Sequence, residues 1–248
     1  MRPRVFVLMY HAVEEVFPTA VAPSQFRREM RTLAKLCHVV RLEEIAAYAR
    51  GQASLPDLSV GVTFDDGFES VYTTAFPIMA EYGVPSSVFI TAGFVDAWVT
   101  SYPGTLPQRR GMSPRQLRDL ASSGLVEIGA HTWTHPRHLI DLSSQQLHTE
   151  LVTTREQLED WTGQRVRYFA YPYSIHHAAV EPLLAQAGYE AAVGGRPRPV
   201  PRCSNPFDLP RVGTRRGATA LEFRVRLLWG FSARAWILSR FEKRPDHS

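Results

Sequence analysis

Two adjacent carboxylates, Asp65 and Asp66, end the apolar run Val60-Gly61-Val62-Thr63-Phe64 and are followed by Gly67. Like charges side by side at the end of a hydrophobic strand are costly unless a cation or a shared proton relieves them. A turn whose second aspartate caps a helix near Phe68 accounts for one carboxylate and leaves the other unexplained. Further on, His131-Thr132-Trp133-Thr134-His135 sets two imidazoles four positions apart, and both can converge on one metal ion. Taken alone, this pair is equally well a packed His131 and a surface His135. Beside an acidic pair on a neighbouring strand end, two histidines and one carboxylate make a three-ligand set with room for water, as in catalytic rather than structural zinc. A metal would satisfy one aspartate and an arginine the other. Arg167, near the start of another strand-like run, is the candidate arginine, with an exposed edge charge as its plain alternative.

These groups need a scaffold that brings distant strand ends together. Val5-Phe6-Val7-Leu8-Met9-Tyr10 reads as a strand buried on both faces and ends at His11. Helical periodicity follows, with Ser24 as a cap and Phe26, Met30, Leu33 and Leu36 on one face. Residues 39–42 read as a strand and residues 43–50 as a short helix. After the acidic strand come a helix over residues 68–82, closed by Gly83, and a strand over residues 85–91. Residues 93–112 show neither period and hold Phe94, Trp98 and Tyr102, and a loop of that length in a compact domain is usually functional. Ser113 and Ser143 cap two more helices, the second running to about Trp161. Strands are expected over residues 125–130, 166–171 and 189–193. The alternation implies a parallel sheet, closed or doubly wound. His11, Asp65, Asp66, His131, His135 and Tyr173 all fall at C-terminal strand ends, where barrel enzymes place catalytic groups.

Composition narrows the class. The 248 residues, 44% hydrophobic and 21% charged, fit one large globular domain. The net charge of +4 comes from a set of 28 basic residues in which only Lys35 and Lys243 are lysines. The arginines scatter and do not alternate with aromatics, which argues against nucleic acid. Cys37 and Cys203 form no CxxC and indicate no disulfide framework. The apolar start is too short for a signal-peptide core and no run approaches a membrane span, so a cytoplasmic protein is expected.

The three segments Thr63-Phe64-Asp65-Asp66-Gly67, His131-Thr132-Trp133-Thr134-His135 and Arg167-Tyr168-Phe169-Ala170-Tyr171-Pro172-Tyr173 together resemble, in order, the first three motifs of the polysaccharide deacetylase family, the NodB-homology domain of carbohydrate esterases. The resemblance covers most of the chain, from the first strand to the Leu209 region. It implies an α/β fold, a distorted (β/α)7 barrel in a single domain over residues 1–217, followed by a basic amphipathic helix and tail over residues 218–248. It implies a divalent metal, most commonly Zn2+ with Co2+, Ni2+ and Mn2+ as alternatives, and hydrolysis of N-acetyl groups on amino sugars. Carried over by position, it makes Asp65 the general base, Asp66, His131 and His135 the metal ligands, Arg167 the partner that orients Asp65, and Tyr173 the donor of a backbone N–H to the oxyanion.

Expelling an amine also needs a general acid, a task that suits histidine. The late Leu-x-His motif of many members is missing, and Leu8-Met9-Tyr10-His11 instead resembles the permuted biofilm-polysaccharide deacetylases, which makes His11 the acid. Ser174 stands where a glycine often follows the Pro-Tyr pair. Trp98, Tyr102 and Trp133 are candidates for stacking on sugar rings, with a self-contained loop core as the alternative. The terminal helix, with Leu221, Val225, Leu228 and Trp236 on one side and Arg224, Arg226, Arg234 and Arg240, is expected either to dock on the barrel or to touch an anionic membrane surface. The expected function is metal-dependent N-deacetylation of an amino-sugar glycan or glycolipid precursor in exopolysaccharide or envelope synthesis. Cleavage of another amide, such as a formamido sugar or ureide, and glycan binding without turnover are the alternatives.

Overall fold

A computed structural model describes residues 3–15, 20–100, 108–195 and 197–229. Tyr102, Trp236, Arg234 and Arg240 lie outside them. The strands are β1 (Val5–Tyr10), β2 (His38–Val39), β3 (Ser59–Phe64), β4 (Ser86–Ile90), β5 (Trp98–Val99), β6 (Arg109–Arg110), β7 (Val126–Ala130), β8 (Tyr168–Ala170), β9 (Ala191–Gly194), β10 (Leu209–Pro210) and β11 (Val212–Gly213). All but β5 and β6 form one sheet in the order β10-β9-β8-β7-β4-β3-β1-β11, with β2 beside β3, and every pairing is parallel.

The sheet curls until its edges nearly meet. β10 pairs with β9 and β11 pairs with β1, and Arg211 is the residue between them, its amide donating to Gly194 O at 3.2 Å. One short segment, residues 209–213, therefore stitches both edges of a nearly closed barrel.

Strand alternation sorts the core. Phe6, Leu8 and Tyr10 pack outward with Phe26, Met30 and Leu33 of helix α1 (Pro23–Leu36), while Val5 and Val7 join Phe89, Tyr168, Ala170, Ala191 and Val193 in the interior cluster. Each fully buried Phe or Leu contributes about 1.5–3 kcal/mol. Helix α2 (Leu42–Ala49) adds Leu42, Ile45 and Tyr48 to that interior cluster. The strand expected to reach Leu42 stops at Val39, because Glu44 caps the Arg41 amide at 2.8 Å and starts α2.

The predicted helices hold with local changes. Helix α1 starts at Pro23 without a side-chain cap, so Ser24 lies inside it. Helix α3 (Phe76–Tyr82) is preceded by a π-type turn at Val71–Ala75 and closed by left-handed Gly83, and α4 (Pro114–Ser122) is capped by Ser113 with Gln116 reciprocating. The long helix after Ser143 divides into α5 (Ser144–His148), a π-type turn (Thr149–Thr153) and α6 (Thr154–Thr162). Helix α7 (Glu181–Gln186) is shorter than the helix that the sequence suggests over residues 176–187. The loop after β4 folds into the hairpin β5–β6, and Met112 N–H returns to Gly67 O at 3.0 Å, tying the loop to the acidic turn. Gly111 is required there, since a Cβ would lie 1.8 Å from Phe94 O.

Helix α8 (Ala220–Trp229) is rotated from the expected face: Phe223 and Leu227 are buried, whereas Leu221 and Val225 are exposed. Behind it, Gln25 bridges Glu29 and Arg215 O, and Tyr10 donates to Glu29 at 2.7 Å. Among the described residues no helix is long and apolar enough to cross a membrane.

Candidate active site

The register Val5↔Ser59 to Tyr10↔Phe64 makes β1 and β3 end level, and Asp65 N–H donates to Tyr10 O at 3.0 Å. His11 and Asp65 thus leave the sheet side by side. The Gly67 amide then bonds to Asp65 O at 2.9 Å, a three-residue γ-turn centred on Asp66 at φ 72°. The turn sends both carboxylates into one cavity of about 440 Å³, lined also by His11, Phe94, His131, His135 and Tyr173.

The two aspartates are not equivalent. Asp65 is held by Arg211, with Nη1 to Oδ1 at 2.6 Å and Nη2 to Oδ2 at 2.7 Å, and both residues are buried. Burial alone would raise the Asp65 carboxyl, but the facing Arg211 guanidinium, with His131 nearby, outweighs it and holds the group well below the usual carboxylate range. Asp66 faces the histidines instead: its Oδ1 is 3.7 Å from His131 Nε2 and 3.6 Å from His135 Nε2, and the two Nε2 atoms are 3.2 Å apart.

This trio fits a metal. Tetrahedral zinc with bonds of about 2.0–2.1 Å needs donor-to-donor edges of about 3.3 Å, close to the three observed. His131 Nδ1 lies 2.8 Å from Ala170 O, and a carbonyl only accepts, so Nδ1–H donates there and Nε2 is the ring atom that faces the site. Burial, reinforced by His131, lowers His135 to about 4, so it presents a neutral imidazole at pH 7.

The turn carrying both histidines is fixed from below by a residue that sequence reasoning missed. Buried Glu150, on the π-type turn before α6, accepts from Trp133 N–H at 2.7 Å, Thr134 N–H at 3.0 Å and Thr134 Oγ1 at 2.6 Å. Among the described residues eight non-glycines have positive φ, and Asp66, Thr132, His135, Tyr173 and Ser174 of them cluster here. Such conformations cost on the order of 1–3 kcal/mol each and persist where surrounding structure imposes them. Ser174 adopts this left-handed conformation at φ 55° without being a glycine.

Two expectations need correction. Arg167 does not orient Asp65: it sits before β8, at the end of the barrel where strands begin, paired with Glu43 and Glu127 at 3.2 and 2.9 Å. A residue before a parallel strand is a full strand length from the C-terminal mouth. Arg211 takes the role, and its only sequence signal was a buried-looking extended segment with one arginine in it. The proposed sugar-stacking aromatics also differ. Trp98 is 65% exposed on the hairpin, Trp133 is half-buried, and neither lines the cavity; its aromatic wall is Phe94 and Tyr173. Tyr173 packs on His135 at 4.7 Å between ring centres.

Residues 52–192 match the profile of the polysaccharide deacetylase family. A poly-β-1,6-N-acetyl-D-glucosamine N-deacetylase of Staphylococcus aureus strain MRSA252 is 24% identical over 217 residues, spanning 84% of this chain and 72% of the relative. Among solved structures, IcaB from Ammonifex degensii superposes with a TM-score of 0.79 at 25% identity, covering 93% of this chain and 98% of that one. The Streptococcus pyogenes deacetylase PplD, in complex with acetate, shares the fold with a TM-score of 0.75 at 18% identity, over 89% and 96% of the chains. With its level strand ends, its paired aspartates and its two-histidine turn inside the matched region or beside it, the chain belongs to the polysaccharide deacetylase family, hydrolases of N-acetyl amide bonds.

Proposed function

We propose that this chain is a Zn2+-dependent N-deacetylase acting on an N-acetylated amino-sugar glycan or a lipid-linked glycan precursor, with N-acetylglucosamine as the first candidate for the reacting sugar. The observation that carries the reading is the division of the acidic pair: Asp65 is locked to Arg211 while Asp66 faces the His131 and His135 imidazoles. A divalent ion held by Asp66, His131 and His135 supplies Lewis acidity, lowering the pKa of water and polarising a carbonyl.

The protein's own groups do the rest. Asp65, kept ionised by Arg211, accepts the proton of the attacking water as the acetamide carbon becomes tetrahedral. The Tyr173 backbone N–H, on a left-handed bend at the cavity wall, is assigned to the developing oxyanion. His11, partly buried at the end of β1 and lining the same cavity, hands a proton to the departing nitrogen, so that acetate and a free amine leave. The test is acetate release by the Zn2+-reconstituted protein from β-1,4- and β-1,6-linked N-acetylglucosamine oligomers, with Asp65→Asn as control. No acetate from these oligomers or from an acidic N-acetylglucosamine glycan, or undiminished release by Asp65→Asn, would falsify the assignment.

We further propose a cytoplasmic enzyme that touches the inner face of the membrane through its terminal helix, a reading supported by exposed Leu221 and Val225 beside Arg224. Vesicle co-sedimentation of a Leu221→Asp/Val225→Asp variant tests it, and equal binding by both forms removes the membrane contact.

A further inference from the structure

The charges around the cavity are committed, with one exception. Asp65 is neutralised by Arg211 and Asp66 faces the metal-competent histidines. Arg109 is buried with its Nε 2.8 Å from Glu14 Oε1, and its guanidinium lies over the Phe68 ring at 4.8 Å. Arg137 alone lines the cavity as an exposed cation that, among the described residues, makes no ion pair. It is placed, not loose: its guanidinium lies 5.2 Å from the centre of the Tyr173 ring, which itself packs on His135. Aromatic stacking of this kind holds an arginine in position while leaving its in-plane N–H donors open. The cation therefore stands at the exposed edge of the cavity, one ring beyond His135.

Resting on the deacetylase reading above, we propose that Arg137 recognises an anionic group, carboxylate or phosphate, on or next to the N-acetylated sugar, so that the preferred substrate is an acidic rather than a neutral glycan. Planar N–H pairs match carboxylate and phosphate oxygens, and among the described residues the only carboxylates lining the cavity are the two aspartates already engaged. A hydroxyl-only sugar leaves this cation without a charged partner.

Calorimetry on the Zn2+-loaded full chain, with acetate release followed in parallel, tests the assignment. The ligands are chitotetraose, a heparosan tetrasaccharide that alternates N-acetylglucosamine with glucuronate, and N-acetylglucosamine 1-phosphate set against N-acetylglucosamine. At low salt at least one anionic ligand should bind about five- to ten-fold more tightly than its neutral counterpart, the preference shrinking as salt rises. Whether the uronate or the phosphate gains more assigns the source of the charge. Arg137→Ala should erase the preference and Arg137→Lys should keep part of it. Equal or weaker binding of both anionic ligands, a preference that survives Arg137→Ala, or no binding of any ligand overturns the inference. Acetate release without preference removes the Arg137 role alone, whereas preference without acetate supports that role and removes the deacetylase reading.

Discussion

Arg211 and Asp65, separated by 146 positions in sequence, meet in a buried two-pronged ion pair at the mouth of the barrel. Removing one partner leaves an uncompensated buried charge, which costs on the order of 3–5 kcal/mol. Arg211→Met should therefore lose most acetate release and unfold at lower urea, while Asp65→Asn/Arg211→Met should recover part of the stability. Arg167→Ala, at the far end of the barrel, should cost about 1 kcal/mol or less and leave turnover intact. Loss of turnover in Arg167→Ala with none in Arg211→Met would reverse the assignment.

The same pair dictates a pH response. With a depressed folded pKa, Asp65 contributes stability that is present above the unfolded carboxyl range, about pH 4, and lost as pH falls through the folded value. In Arg211→Met burial is opposed only by the weaker pull of His131 and His11, and the folded pKa should rise above the unfolded one. The sign then reverses, and the variant should lose stability between pH 4 and pH 7. Urea titrations at both pH values in EDTA read this directly; parallel behaviour of the two proteins would contradict it.

Chelation should silence the enzyme and Zn2+ should restore it. Metal at a hundred times its Kd adds about 2.7 kcal/mol to unfolding, seen as a rise in Tm. His135→Ala should abolish that rise without a large loss of stability in EDTA, because His135 is the most exposed of the trio Asp66, His131 and His135. A Tm that ignores Zn2+ in the unaltered chain speaks against the trio.

Glu150 touches no ligand atom, yet it holds Trp133 and Thr134 between the two histidines. Glu150→Ala should destabilise by about 1–3 kcal/mol through the unsatisfied amides and weaken Zn2+ binding by roughly 10–100-fold. Unchanged zinc affinity would reduce Glu150 to a packing residue.

For His11 the diagnostic is the leaving group. His11→Asn should lower kcat on N-acetyl sugars by about 10²–10⁴ with Zn2+ affinity preserved. It should lose far less on 4-nitrophenyl acetate, whose phenolate leaves without a proton. Equal losses on amide and ester would argue for a structural role.

The acidic pair, the two-histidine spacing and His11 were legible because each is local: a strand ends, a chemical group follows, and adjacent or four-apart residues share a site whatever the rest of the fold does. Ser113, Ser143 and Gly83 marked helix ends for the same reason, since caps act within one turn. What pattern could not supply was depth along the barrel. Arg167 and Arg211 both flank short extended runs, and only the pairing of strands reveals that one precedes β8 while the other bridges β10 and β11 at the seam. Glu150 was equally hidden: it lies buried on the π-type turn of the helix after Ser143, and no local spacing marks a glutamate there as a partner of the histidine turn. Residue types and spacing thus determined that carboxylates and imidazoles would meet at strand ends. Which cation holds Asp65, which aromatics line the cavity and which glutamate supports the histidine turn were decided by parallel register and barrel closure, long-range pairings that leave no local period in the chain.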